Sequence, residues 1–355
     1  MVRRAKLAAG LLVAAVVLAG CAPTHSTLRY QPDPPFTATW PAPPETPRYR
    51  YVGELTGEQN IHVPNQGFAS SGTRLFKWLV GLTSPKHEAV VLQRPQGGVT
   101  DPAGRVYVTD VSRQAVYVFD EPAGTLQVWE MAGDNVRFVS PIGIALGADG
   151  EILVADAELG YVVRLGKDGK PRGVIGRTQL VRPTGVARDA ARGRIYVADT
   201  HGHAIKVFSD SGELLKTFGQ RGEALGEFNS PTYLSFADNR LYVTDTLNAR
   251  VQVLSADGDA LQVFGRRGIF MGDMPRPKGV AVDKAGNVYV VESYFDYLLV
   301  FNPEGELLLP IGGTGGGLGQ FYLPAGVWTD ERDWVYIADS FNGRVVILQF
   351  LREGA

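Results

Sequence analysis

Cysteine is almost missing from this chain of 355 residues: there is one, Cys21. A lone thiol excludes any internal disulfide, and a domain of this size needs none. Histidine is scarce as well, at five, so sites built from several imidazoles and thiolates have few possible members. Positive charge is not in excess, with 35 Lys and Arg against 37 Asp and Glu. Without Arg3, Arg4 and Lys6 of the leader described below, the balance falls to about −5. An exported, mildly acidic chain is a poor binder of nucleic acid, and that function is set aside. Long apolar runs are also lacking: residues 7–18 form the one candidate, shorter than the ~20 residues of an ordinary membrane-spanning helix.

What the chain has instead is repetition. Six segments open on a proline, at Pro95, Pro141, Pro183, Pro231, Pro277 and Pro324, and run into small and β-branched residues. In each, a polar turn leads to a second apolar strand closed by an acid: Asp110, Asp156, Asp199, Asp245, Glu292 and Asp339. The turn at Asp283, Lys284, Ala285 and Gly286 is typical, with Asp able to cap its own backbone and Gly free to take a positive φ. Both series step by roughly 42 to 48 residues, the length of one four-stranded propeller blade. A single meander of this kind cannot bury both its faces, whereas six in a ring can. Residues 245–251 and 339–345 follow the pattern D-x-x-N-x-R-V, and on these copies the chain resembles the NHL-repeat β-propellers over about residues 49–350. The resemblance implies an all-β, six-bladed propeller. The first, second, third and fifth copies depart from the pattern at the Asn and the Arg, so there it implies the fold alone.

The last copy ends too early to supply its own outer strand, since only five residues follow Phe350. The N-terminal stretch Tyr49–Leu55, which stands outside the six-fold count, is expected to fill that place and close the ring. Ahead of it, residues 1–20 read as an address: a basic start at Arg3, Arg4 and Lys6, then the short apolar run. Leu18, Ala19, Gly20 and Cys21 resemble a bacterial lipobox. That resemblance implies cleavage before Cys21, acylation of its thiol and amine, and, with Ala22 next to it, sorting to the outer membrane. Several acyl chains give stable anchoring where one is marginal. Residues 21–48, with Pro23, Pro32, Pro34, Pro35, Pro41, Pro43, Pro44 and Pro47, are expected to form an extended tether of at most about 80 Å. Residues 49–355 then form the propeller, expected as a monomer. Within residues 71–83, Leu75, Leu79 and Leu82 fall on one face of a short amphipathic helix, expected as a lid on the propeller.

Chain direction places the long connections on one face and the tight Asp/Gly turns on the other, and long ordered loops on a rigid scaffold are where binding lives. Candidates there are Arg94, Arg182 and Arg276, which precede the proline in alternate copies and together suit a carboxylate or phosphate. The alternative is that each packs along the adjacent blade or pairs with a strand-ending acid. His201 and His203 are two apart but find no matching set for a metal, and read as solvated loop histidines. Tyr294, Phe295 and Tyr297 replace the polar pattern in the fifth copy, as an exposed sticky patch or as packing against the neighbouring loop. The six strand-ending acids are expected to accept backbone N–H bonds and to pair with Arg250 or Arg344.

Two function classes remain. One is a membrane-anchored, non-catalytic platform holding an envelope protein, a glycan or a small anion, with neither cofactor nor metal. The other is a propeller hydrolase or lyase, resembling the lactonases or the amidating lyase, with a metal in the channel. The second needs several acids or histidines at the channel mouth, where this chain instead has Arg94, Arg182, Arg276 and Lys278.

Overall fold

Strand-forming residues in this chain come as near-continuous apolar runs, such as Arg105–Asp110 and Ala115–Asp120. Runs of that kind are stable only where both faces of the sheet are covered. The computed structural model describes residues 26–32, 35–63 and 89–352. In it five antiparallel sheets of four strands and one of five form the blades of a propeller. Blade one comprises Pro95–Thr100, Arg105–Asp110, Ala115–Asp120 and Thr125–Trp129, and the next four repeat this order from Pro141, Pro183, Pro231 and Pro277. Side chains alternate across each strand. Val106 and Val108 therefore pack toward blade six, while Tyr107 between them packs toward blade two. Every join between blades holds one such apolar cluster.

Blade six is assembled from both ends of the chain, as the sequence predicts. Its strands Val327–Thr329, Trp334–Asp339 and Arg344–Phe350 are completed by Tyr49–Leu55, in antiparallel register from Val345 opposite Leu55 to Phe350 opposite Tyr49. Tyr49, Tyr51 and Leu55 are buried, and each such side chain contributes about 1.5–3 kcal/mol relative to an exposed one.

The expected tether is corrected by the structure. Thr39–Trp40 adds a fifth strand to blade six, and Thr27–Leu28 pairs with Ile61–His62. The ring of Tyr30 lies edge-on to Trp334 at 5.2 Å, and its hydroxyl donates to Glu121 at 2.9 Å. Trp40 packs on the core between blades five and six. Proline excludes helix from this segment but not docking, and its aromatic residues supply the contacts. The leader, Cys21 and the 71–83 helix lie outside the described residues.

Inner strands approach closely because of a second repeat, Pro-x-Gly, at Gly97, Gly143, Gly185, Gly279 and Gly326. A Cβ on Gly185 would come within 2.5 Å of the Thr232 carbonyl oxygen in the next blade. Blade four alone departs, with Tyr233 at this position. Its hydroxyl crosses the axis to the Gln96 carbonyl of blade one at 3.1 Å. Tyr233 thus bars the channel between the loop-rich mouth and a cavity of about 310 Å³ that it helps to line.

Candidate functional site

The frame of the loop-rich face is made by the strand-ending acids. Asp110 accepts the backbone N–H groups of Gln93 and Arg94 on one side, and of Ser112 and Arg113 on the other. Asp156 does the same for Val139, Ser140, Glu158 and Leu159. Glu292 takes those of Arg276, Tyr294 and Phe295. These carboxylates are buried, and each satisfies donors that would otherwise be orphaned. Their lone pairs are used in fastening the loop before each blade to the turn within it.

A hydroxyl after the acid performs a related task across blades. Thr200 donates to the Pro231 carbonyl at 2.7 Å, Thr246 to that of Pro277 at 2.9 Å, and Ser340 to that of Pro95. The Asn and Arg of the D-x-x-N-x-R-V copies hold the long loops. Asn248 donates to the Gly222 carbonyl, and Arg250 binds Asp245 and the carbonyls of Glu223, Ala224 and Glu227. In blade six Arg344 joins Asp339, Glu54 and the carbonyls of Gly317 and Gln320.

The three arginines do not form a triad. Arg182 is ion-paired with Glu158 of blade two at 2.5 Å. Arg94 stays at the surface, with its guanidinium 4.9 Å from the ring centroid of Phe341 in blade six. Arg276 is exposed, and among the described residues its side chain has no ion pair. The histidines do not converge either. His203 accepts the Ser230 N–H at 3.1 Å through Nδ1, so it ties blade three to blade four, and His201 is exposed. Among the described residues no group of three or more His, Cys, Asp or Glu is placed to hold a metal.

Arg276 has a different companion, Lys278. Both line a cavity of about 670 Å³ at the mouth, between blades four and five, with Arg267, Ile269, Leu247 and Tyr294. No carboxylate is among its lining residues. Burial, joined by the charges of Arg276 and Arg94, lowers the Lys278 ammonium to about 8. Tyr294 is 64% exposed over this cavity. Phe295 stands edge-on to Tyr294 at 4.9 Å and faces the neighbouring loop, lining a small cavity with Phe270 and Met271. That loop, residues 265–276, is held by Asp273, which accepts from Arg266 and from the Phe270 N–H. Its tip leaves Ile269, Phe270 and Met271 exposed at 79%, 71% and 55%. Lys278 was legible as a residue but not as a site, because nothing in a sequence shows which cations lack an acid.

The NHL repeat model matches residues 180–208, which fall in blade three and the end of the loop before it. There Lys206, 3.0 Å from Asp199, supplies the cation that Arg250 and Arg344 supply in their blades. No curated protein matches the chain. Among solved structures it is similar to virginiamycin B lyase from Staphylococcus aureus, at 13% identity over 73% of this chain and 96% of that one, TM-score 0.52. It is similar to a gluconolactonase from Xanthomonas campestris, at 17% identity over 74% and 90%, TM-score 0.56. An auxiliary nutrient binding protein from Bacteroides ovatus shares 14% identity over 74% and 70%, TM-score 0.58. At these identities the likeness carries the fold alone. By its ring of six sheets and the repeat matched in the third, the chain is a six-bladed β-propeller with an NHL repeat.

Proposed function

We propose that the protein is a lipid-anchored, non-catalytic binding platform of the bacterial envelope, and that its loop-rich face takes a carboxylated or phosphorylated group in the cavity of Arg267, Arg276 and Lys278. The carrying observation is that Arg276 and Lys278 sit at one cavity mouth with no acid among its lining residues. Like charges held together are unfavourable until an anion enters. Exposed Leu247, Ile269 and Tyr294 beside them favour an anion carried on an apolar body, such as an acidic side chain of an envelope protein, over a free inorganic ion. The nutrient-binding neighbour is compatible with this reading. A lactonase-like or lyase-like activity is the second reading, favoured by the other two neighbours. Against it stand the strand-ending carboxylates, used in backbone hydrogen bonds, and Tyr233 across the axis.

Titration calorimetry of the protein without its leader, at low salt, tests the proposal with citrate and inorganic phosphate as probes. Saturable binding that weakens as salt rises is expected. Heats that never saturate for either probe would remove the cavity as an anion site.

A further inference from the structure

We infer that the acyl chains on Cys21 hold the molecule by the rim of its tight-turn face, so that the cationic cavity looks away from the bilayer that carries the anchor. The inference rests on the reading of Cys21 as the lipidated residue. It is carried by where Ser26, the first of the described residues, is fastened. The Ser26 hydroxyl donates to the Gly124 carbonyl at 2.7 Å, in the turn between the third and fourth strands of blade one, on the face opposite the long loops. Gly124 has φ 61°, and a Cβ there would stand 2.0 Å from the Ser26 carbonyl oxygen, so the close approach needs glycine. Four residues on, Tyr30 donates to Glu121 of the same turn, and Arg332 of blade six binds Glu121 at 2.8 Å.

Chain length then decides the orientation. From Cys21 to Ser26 is five residues, a reach of at most about 18 Å when fully extended. The strand Arg105–Asp110 has six residues and spans about 20 Å between the two faces, before the long loops are added. If the loop-rich face lay on the bilayer, Ser26 would be lifted beyond the reach of the lipidated cysteine. The poses left are tight-turn face down, or tilted onto the rim of blades six and one. A ligand for the cavity then comes from the compartment or from a facing structure, and not from headgroups of the anchoring leaflet.

The test uses the full, lipidated protein in vesicles containing lipids with an acceptor dye on the headgroup. Cys21 is the chain's one cysteine, so Ala123→Cys or Phe270→Cys supplies a single free thiol for a donor dye. Both positions are exposed. Energy transfer at least about twofold more efficient from position 123 than from position 270 is expected. Placing twenty Gly and Ser residues between His25 and Ser26 should reduce that difference. Equal transfer from both positions, or stronger transfer from 270, would overturn the orientation while the protein still floats with the vesicles. Failure to float would remove the anchor reading, and the orientation with it, and leave the anion cavity standing.

Discussion

Blades five and six stand side by side on one frame and use it in opposite ways. In blade six the residues of the turn after the acid point inward, to their own structure: Asn342 and Arg344 hold Asp339, Glu54 and three loop carbonyls. In blade five the same turn carries Tyr294, Phe295 and Tyr297, and the loop before it, released from that grip, exposes Ile269, Phe270 and Met271. One blade has its cation satisfied four times over, and the other leaves Arg276 and Lys278 lining a cavity with no acid among its lining residues. The contrast shows how the proposed site arises within a repeat. The acid that fastens loop to turn stays constant, and the candidate groups stand in a copy that lacks the Asn and Arg ties to its long loop. Blade six should therefore carry stability and blade five binding, and the two should separate under mutation.

The largest effect should follow from removing the strand that closes blade six. A protein beginning at Thr56 lacks Tyr49–Leu55, which leaves Arg344–Phe350 as an open sheet edge and uncovers the core between blades five and six. It is expected to aggregate or to melt far below a protein beginning at Pro47. A protein beginning at Ser26, which keeps the docked segment, should melt highest of the three. Indistinguishable melting curves would refute the closure. Next in size is Arg344→Ala. Arg344 is 10% exposed and Asp339 fully buried, and breaking such a pair leaves an uncompensated charge at a cost of about 3–5 kcal/mol. Denaturant midpoints should register that loss, while citrate affinity of the folded fraction is unchanged.

How far these contrasts were legible in the sequence depends on whether a feature repeats. The blades, the closure by Tyr49–Leu55 and the binding of backbone N–H groups by the strand-ending acids all follow from periodic residues, since one physical constraint acting six times leaves six traces. Tyr233 is the one break in Pro-x-Gly, but the break becomes meaningful only once the glycines are seen to meet at an axis. The docked segment reads as a tether on its prolines, whereas Tyr30 and Trp40 supply the contacts that fix it. No arginine triad forms, for a physical reason too: position before the proline fixes the backbone, through the acid, but not where a long side chain ends, so the alternative of packing on or pairing with the adjacent blade describes Arg94 and Arg182. Arg182 therefore turned to Glu158 and Arg94 to Phe341.

That difference between arginines sharpens the comparison. Arg276→Gln should weaken citrate binding by about tenfold or more, from the loss of a charged hydrogen bond contributing about 1.5–3 kcal/mol, with little change in melting temperature. Arg182→Gln, in a surface pair with Glu158, should change stability by less than about 1 kcal/mol and leave binding as it was. Equal losses of affinity in both would place the ligand on the whole rim instead of in the blade-five cavity.

The smallest effect, and the most diagnostic, is the response to pH. Burial and its cationic neighbours hold the Lys278 ammonium down at about 8, below an unfolded lysine at about 10.4. Between these values the unfolded chain holds more protons than the folded one, so this residue makes stability rise with pH across that window. Anion binding has the opposite sign, because it needs the ammonium and fades as Lys278 loses its proton. Citrate only gains negative charge over this range, which by itself would strengthen binding, so the fall belongs to the protein. Titrations from pH 7 to 8.5, below the range where tyrosines of the unfolded chain ionise appreciably, should show affinity declining while the denaturant midpoint climbs. In Lys278→Met both trends should flatten, with weaker binding at pH 7 than in the unaltered protein. A pH profile of affinity that survives the substitution would move the titrating group elsewhere and take Lys278 out of the site.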